Sequence, residues 1–386
     1  MLKIHAISLI IIVLIVAVAN SVYFYLQQVN EKASLDSLLD QHIALQNQTG
    51  KSIANSLGAD LSSMMDMIEN VAHLESEIYA ISFTPQFSNI SNSTLNQVLS
   101  FLNHEINHTY DLVKQKTDRL YIVNSTGKVT TSFTPPGEEK FLGLDLSFRD
   151  YVNQTKETRA PVYSELFTGA DGKNRITLTY PILKTFALNG GDNSSFDSEG
   201  TNTSSDYLGL VALSMPVSEM FNRYGNIFNI ESQYLVGYDK NGSIMISPRS
   251  EFIGKNFMSP EIQQVTDKSG VYNRIINNLL NGKEDQGLYT TNLGERYNTA
   301  FPIVVDGNMV YGLGVVTPTN SIYQNMNEIM HYERIQSAIL FFTMSAGVII
   351  LFILLRNWSK ELGNEVKKRT IELNEANQRL GIVNEN

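Results

Sequence analysis

The fold of this chain is decided by the stretch RLYIVNSTGKVTTS, residues 119–132, which reads as two apolar strands around a polar turn. A second stretch of the same design, QYLVGYDKNGSIMIS, occupies residues 233–247 and carries an Asn241-Gly242 turn. An Asn-Gly pair supplies the positive φ angles that tight hairpins require. Both stretches are therefore predicted to be β-hairpins, and their likeness indicates a repeated module.

Two further pairs of segments repeat in the same order. Residues 175–182 and 296–303 each begin with an arginine that lies six residues before a proline, and an aromatic residue precedes that proline. Residues 209–216 and 312–318 are apolar strands that end in proline. Three matched segments in one order predict two modules, each with one antiparallel sheet. Residues 187–206, rich in Asn, Ser, Gly and Asp, are predicted to be a solvated loop.

Two apolar stretches flank the repeat. AISLIIIVLIVAVANSVYFYL at residues 6–26 and SAILFFTMSAGVIILFILL at residues 337–355 contain no charged residue. Because about 20 apolar residues cross the hydrocarbon of a bilayer, both are predicted to be transmembrane helices. For the first stretch, a signal peptide cleaved near Ala17-Val18-Ala19 is the alternative.

Basic residues predict the orientation in the membrane. Lys3 precedes the first span, and Arg356 and Lys360 follow the second. Since positive charge marks the cytoplasmic side, both termini are predicted to be cytoplasmic, with residues 27–336 outside the plasma membrane. Sequons for glycosylation agree with this orientation. Those of the outer segment begin at Asn47, Asn89, Asn92, Asn107, Asn124, Asn153, Asn193, Asn202 and Asn241.

Composition excludes several classes of function. The net charge of −10 argues against a nucleic-acid partner, which a basic face would bind. The sequence contains no cysteine, so it has no disulfide, thiolate metal site or cysteine nucleophile. It also lacks a glycine-rich phosphate loop and a serine nucleophile elbow, and we expect no cofactor.

The order of these segments resembles the double Cache family of extracellular sensor domains, which occur in transmembrane histidine kinases and chemoreceptor-type receptors. The resemblance covers roughly residues 30–335. It implies two PAS-like modules, of which the membrane-distal one holds a small ligand. The matching pieces are a long helix, GLDLSFRDY (143–151), APVYS (160–164), Gly172-Lys173, residues 177–182, DKNGS (239–243) and IGKN (253–256).

The predicted architecture is an α+β membrane protein with two transmembrane helices, two antiparallel-sheet modules and a short C-terminal coiled coil. We expect a homodimer that pairs through its long helices. The predicted boundaries are 1–26 for the cytoplasmic N-terminus and first membrane helix, 27–80 for a helical stalk, 81–225 for the membrane-distal module, 226–320 for the membrane-proximal module, 321–336 for a helix into the membrane, 337–355 for the second membrane helix, and 356–386 for the cytoplasmic coiled coil.

The C-terminal segment follows a heptad pattern that Arg369 interrupts, and a solvated helix is the alternative. Part of it, EVKKRTIEL at residues 365–373, resembles the helix that leads into histidine-kinase dimerisation domains. No histidine follows His331. We therefore expect no autophosphorylation by this chain, and an output through a cytoplasmic signalling partner or a lost kinase module.

Arg149 is the first candidate for ligand binding. If residues 143–151 are extended, Arg149 and Tyr151 project in the same direction. A guanidinium binds a carboxylate through two parallel hydrogen bonds, although a surface salt bridge would also account for an arginine here. The resemblance implies the same position, because Cache proteins that bind amino acids use an arginine there. Further candidates, as hydroxyl donors, are Tyr121, Tyr163, Thr177 and Thr179.

Two departures from the amino-acid-binding pattern narrow the ligand class. The pattern continues Arg-X-Trp-Tyr, whereas this chain has Tyr151 and Val152 at those places. The carboxylate that would bind the ligand's ammonium falls near Ser214, which is uncharged. The sequence therefore favours a small organic acid without an amine.

One motif points to different chemistry. His104-Glu105-Ile106-Asn107-His108 matches the H-E-x-x-H signature of zinc proteases. However, an apolar stripe on the same predicted helix places both histidines on the opposite face, toward water. The stripe consists of Leu95, Val98, Leu99, Leu102, Ile106, Tyr110 and Val113. We expect a solvated helix face without a metal.

These observations together predict a membrane receptor that senses an extracellular small molecule. Two alternatives belong to other classes: a structural or adhesive surface glycoprotein, and a membrane metallohydrolase that uses the H-E-x-x-H motif.

Overall fold

A computed structural model of the chain describes residues 2–83, 92–114, 116–134, 141–184, 207–224 and 233–384. The chain divides into two compact units, one formed by 1–41 and 323–386 and the other by 42–322. The predicted loop at 187–206 lies outside the described residues. The same holds for the sequons at Asn89, Asn193 and Asn202.

Two helices supply the first unit. They are the beginning of α1 (Leu2–Phe83) and nearly all of α7 (Thr319–Asn384). Within this unit Arg334 pairs with Glu31, and the Phe341 ring centroid lies 5.7 Å from that of Phe24. These contacts join the two helices side by side.

One stretch of the described residues, Met330–Arg379, is helical, long and apolar enough to cross a membrane. It contains the second predicted span at 337–355. For residues 2–13, which make up much of the first predicted span, the structure describes a helical backbone but not the side chains. The two-pass topology and the dimer therefore stay predictions.

The second unit holds the remainder of α1, the first residues of α7 and two groups of strands. Its other elements are α2 (Asn92–Val113), β1 (Arg119–Asn124), β2 (Val129–Phe133), α3 (Asp150–Thr158), β3 (Val162–Tyr163), β4 (Phe167–Thr168), β5 (Asn174–Leu183), β6 (Tyr207–Pro216), α4 (Val217–Asn222), β7 (Tyr234–Asp239), β8 (Ile244–Ile246), a 3₁₀ turn (Ser250–Phe252), α5 (Pro260–Val265), α6 (Gly270–Leu280), β9 (Asp285–Thr291), β10 (Gly294–Val305) and β11 (Asn308–Pro318).

The strands form two antiparallel sheets. The first has the order β2-β1-β6-β5-β3, with β4 also pairing with β5, and the second has the order β8-β7-β11-β10-β9. The two hairpins and the later strands that the repeat predicted are all present. We call the first sheet with α3 and α4 the first module, and the second sheet with α5 and α6 the second module.

The register of the strands repeats as well as their order. Arg175 on β5 faces Pro216 on β6, and Arg296 on β10 faces Pro318 on β11. Each arginine therefore occupies the same place in its own sheet. The repeat provides a residue-by-residue equivalence between the two modules.

Helix α1 covers one face of both sheets. The same core contains Leu120 from the first sheet and Ile303 from the second. Gly58 allows a close approach, since an added methyl group would lie 2.6 Å from the carbonyl oxygen of Val304. Burying each large apolar side chain contributes about 1.5–3 kcal/mol. The helix contributes a stripe at helical spacing: Ile53, Leu57, Leu61, Met64, Ile68 and Val71.

The opposite face of each sheet carries its own core. Alternation along β1 directs Leu120 toward α1 and Tyr121 toward the other side, where α3 packs. In the second module, Val236 and Tyr238 of β7 point in the same way toward α5 and α6. Each module thus has a sheet face, turned away from α1, that short helices only partly cover.

Candidate functional site

The first module has a small cavity on the sheet face turned away from α1. Its volume is about 40 Å³, which holds two or three water molecules. Among the residues that the structure describes, no carboxylate lines this cavity. The lining residues are Arg119, Tyr121, Phe141, Leu144, Leu146, Arg149, Tyr151, Phe167, Gly169, Ala170, Arg175 and Ser214. We call this space the first cavity.

Arg175 lies at one side of the first cavity, where it forms ion pairs with two aspartates, and it is 1% exposed. Its guanidinium donates to both oxygens of Asp118, at 2.7 and 2.6 Å, and to Oδ2 of Asp171 at 2.6 Å. Arg119 donates to the same Asp171 oxygen at 3.1 Å. The hydrogen bond from Arg175 lowers the pKa of Asp171 to about 2. Two arginines and two aspartates therefore neutralise one another here.

Arg149 is the third arginine of the first cavity. Its positive charge is additional to the four charges that neutralise one another. It precedes α3 in an extended conformation, and its Nη2 donates to the carbonyl of Thr168 at 3.3 Å. Its guanidinium carbon lies 4.8 Å from the ring centroid of Phe167 and 4.9 Å from that of Phe148. Its buried Nε has no hydrogen-bond partner among the residues that the structure describes.

Two tyrosines complete the polar lining. The hydroxyl oxygens of Tyr121 and Tyr151 lie 3.0 Å apart and share a hydrogen bond. Burial raises the pKa of both phenols, so both stay protonated at neutral pH. Neutral hydroxyls beside a guanidinium can donate to the oxygens of an anion.

The expectation that residues 143–151 are extended is wrong, because the chain turns at Gly143 and again at residues 147–148, and α3 begins at Asp150. An acidic residue in the first turn favours the helix start. Tyr151 nevertheless reaches the first cavity, since α3 packs on the sheet over β5 and β6 and the Tyr151 hydroxyl meets that of Tyr121 on β1. Arg149, Tyr151 and Tyr121 are therefore brought together as predicted, through a different backbone conformation.

The other three predicted residues lie outside the lining. The Thr179 hydroxyl is 2.6 Å from that of Thr155 on α3 and holds that helix to the sheet. Thr177 is fully buried between Arg175 and Thr179 on the same face of β5. Tyr163 packs against the core that α1 forms. Thr179 and Tyr163 thus take part in the packing of the sheet. Thr177 is a buried neighbour of Arg175, which does line the cavity.

The H-E-x-x-H motif lies on α2, where Ile106 is buried and both His104 and His108 are exposed. This arrangement is the predicted one. The side chains of Leu95, Leu99 and Leu102 are outside the described set. Among the described residues, no three His, Cys, Asp or Glu side chains come together in a group that could hold a metal.

Sequence reasoning missed two features of these sheet faces. The Arg–Pro spacing identified Arg175 as part of the repeat, but gave no sign that it pairs with Asp118 and Asp171. The second missed feature is another cavity, of about 380 Å³, on the equivalent face of the second sheet. The repeated arginine at Arg296 was the one available signal for that site.

The family model for the Cache domain matches residues 33–326. Among solved structures, the extracellular domain of mmHK1S-Z2, described as a histidine kinase, is 13% identical, with 73% of this chain and 98% of that one covered and a TM-score of 0.51. The ligand-binding domain of the Pseudomonas aeruginosa amino-acid chemoreceptor PctB in complex with L-Gln is 14% identical, with 72% and 90% covered and a TM-score of 0.46.

An extracellular ligand-binding receptor from Desulfohalobium retbaense is 16% identical over 68% of this chain, with a TM-score of 0.42, and this chain spans 39% of its length. A search of curated proteins finds no match. The family match covers well over half of the sequence. The chain therefore belongs to the Cache-domain family, whose members are extracellular ligand-binding sensors in chemoreceptors and histidine kinases.

Proposed function

We propose that this chain is a transmembrane receptor that binds a small organic anion in the first cavity and signals across the membrane. The observation that carries the proposal is the charge of the lining. Arg119 and Arg175 are neutralised by two aspartates, whereas Arg149 has no ion-pair partner among the described residues. One positive charge is left for a ligand.

The lining also argues for the class of anion. Ser214 lies where a carboxylate would bind an ammonium group, and its hydroxyl donates to the carbonyl of Ile176 at 3.3 Å. With no acidic residue among the described lining, an amine would be desolvated without compensation. A carboxylate gains a charge-assisted contact with Arg149 and hydroxyl donors from Tyr121 and Tyr151. A compact organic acid without an amine fits best.

The size of the first cavity adds a requirement. A space of about 40 Å³ accommodates a carboxylate group, but a larger ligand body must displace lining side chains. The rings of Phe141 and Phe167 are the ones beside the arginines. Binding is therefore coupled to movement of these rings, and this movement is the first step of the proposed signal. Output through a cytoplasmic partner is part of the proposal, and catalysis is not.

A thermal-shift screen of the full chain in detergent tests the proposal. Acetate, pyruvate and succinate are compared with glycine and with ethylamine. We expect stabilisation by at least one amine-free acid, of about 2.7 kcal/mol at a hundred times its dissociation constant. At the same ligand concentration the shift should fall to about 0.4–1.4 kcal/mol in Arg149→Ala, for an affinity weakened roughly ten- to a hundredfold, and persist in full in Arg223→Ala, which removes an exposed arginine of the same module. Stabilisation by ethylamine alone would contradict the proposal.

A further inference from the structure

The second module also contains a cavity in the part of the chain that the structure describes. Its volume of about 380 Å³ falls in the range of small-molecule binding sites, whereas the first cavity is roughly a tenth of that size. It lies on the sheet face turned away from α1, beside α5 and α6. We call it the second cavity. A ligand can enter it without displacing the side chains of its lining.

Tyrosine rings form the walls of the second cavity. Tyr234, Tyr238, Tyr272 and Tyr289 all line it. The ring centroids of Tyr272 and Tyr289 are 5.3 Å apart, and the hydroxyls of Tyr238 and Tyr272 are 3.4 Å apart. Burial raises the pKa of Tyr272 to about 12, so its hydroxyl is neutral at physiological pH. Such walls favour a planar aromatic body over an aliphatic one.

Two arginines line the second cavity, and no acidic residue does within the part of the chain that the structure describes. Arg296 donates to the backbone carbonyls of Glu295 at 3.0 Å and Leu293 at 3.2 Å, and its guanidinium also interacts with the phenol of Tyr234. Arg249 lies 5.4 Å from the ring centroid of Phe252. Neither arginine forms an ion pair with any residue that the structure describes. The positive charge is therefore available to an anion.

Comparison of the two modules explains why Arg296 has no carboxylate partner among the described residues. Arg296 is equivalent to Arg175, since each faces the proline that ends the next strand. By the same register Asp118 is equivalent to Gln233, which carries no charge. The loop that carries Asp171, residues 169–173, is replaced by a two-residue turn between β9 and β10. The second module keeps the arginine and lacks both carboxylates.

A buried amide lies next to this arginine. Asn298 is two residues from Arg296 on the same face of β10, is fully buried, and is the equivalent of Thr177. Neither its side-chain nitrogen nor its oxygen has a hydrogen-bond partner among the described protein groups. Buried amides of this kind are rare in folded proteins. Asn298 does not itself line the second cavity, so the charge available to an anion there comes from the two arginines.

We propose that the second cavity is a separate binding site for a small aromatic carboxylate. Arg296 and Arg249 bind the carboxylate, and the tyrosines enclose the ring. This inference goes beyond the proposed function, because it assigns a second ligand site to the other module and does not depend on Arg149.

Calorimetric titration of the full chain in detergent tests this site with three probes of one shape. Phenylacetate carries the charge, phenylacetamide lacks it, and phenethylamine reverses it. We expect saturable binding of phenylacetate alone, weakened roughly ten- to a hundredfold in Arg296→Ala. Arg274→Ala is the matched control, because it removes an exposed arginine of the same module that pairs with Asp285 and does not line the cavity.

Three results would overturn the inference: no saturable binding of phenylacetate, equal affinity for the amide, or unchanged affinity in both Arg296→Ala and Arg249→Ala. If Arg296→Ala lowers the melting temperature, Arg249→Ala alone tests the site, since the Arg249 guanidinium has no hydrogen bond or ion pair with the residues that the structure describes. Loss of phenylacetate binding in Arg149→Ala but not in Arg296→Ala would place the probe in the first cavity. That result would refute the second site and leave the proposed function standing.

Discussion

The two equivalent arginines allow one stability prediction with an internal control. Replacing Arg175 by methionine removes a guanidinium that is 1% exposed and bound to Asp118 and Asp171. Both carboxylates are left in a partly buried site, 12% and 21% exposed. Replacing Arg296 by methionine at the equivalent place leaves no carboxylate of the described residues without its ion-pair partner. We expect Arg175→Met to destabilise the protein much more than Arg296→Met.

The magnitude follows from the pairing. Breaking a buried ion pair by removing one partner costs about 3–5 kcal/mol. The lower end applies to Arg175, because Arg119 still pairs with Asp171 and both acids keep some contact with water. Arg296→Met loses hydrogen bonds to two exposed carbonyls, which costs under about 1 kcal/mol. For a unit of this size, about 3 kcal/mol corresponds to a melting point lower by roughly 6–12 °C.

The assay is thermal denaturation of the full chain in detergent, followed by the near-ultraviolet circular dichroism of its tyrosines. A triple variant, Arg175→Met with Asp118→Asn and Asp171→Asn, should recover most of the loss, because the uncompensated charges are gone. Equal destabilisation by Arg175→Met and Arg296→Met would refute the reasoning. So would a triple variant that is no more stable than Arg175→Met.

Three further predictions follow from other parts of the chain. Gly58→Ala should lower the free energy of unfolding by about 1–3 kcal/mol, because the new methyl group meets the Val304 carbonyl. Gly363→Ala lies in open space and should leave the free energy of unfolding unchanged or raise it by up to about 1 kcal/mol. Thermal melts of both variants check this. The stability that Asp171 contributes should be complete above pH 4 and be lost as the pH falls toward 2, with a shallower loss in Asp171→Asn. Protease added to intact cells should remove residues 27–336 and spare a C-terminal tag, and loss of the tag would reverse the predicted orientation.

Strand patterns could be predicted from the sequence because they depend on neighbouring residues. Alternating apolar residues around Asn241-Gly242 specify a hairpin wherever the segment lies. The repeated Arg–Pro spacing corresponds to a repeated strand register in the structure, because Arg175 and Arg296 occupy equivalent places in their sheets. Local patterns of this kind also predicted the exposed face of α2 that carries His104 and His108.

The cavities could not be predicted in this way, because distant segments build them. Whether Arg175 is neutralised depends on a loop of five residues, 169–173, that brings in Asp171. The two-residue turn before Arg296 brings in no acid. The sequence shows the arginines at equal spacing, but only the folded chain distinguishes the neutralised one from the available one. The extended conformation expected through Tyr151 failed for a related reason, since α3 begins at Asp150 and packs there on the distant strands β5 and β6.

The affinity of the full chain for its best amine-free acid, measured by calorimetry in three variants, tests the central claim most directly. The account predicts that Arg149→Ala weakens binding roughly ten- to a hundredfold without lowering the melting temperature of the unliganded chain. Arg149→Lys should recover part of the affinity, because an ammonium keeps the charge but not the planar fork. An unchanged affinity in a folded Arg149→Ala variant would contradict the claim that the first cavity binds the ligand.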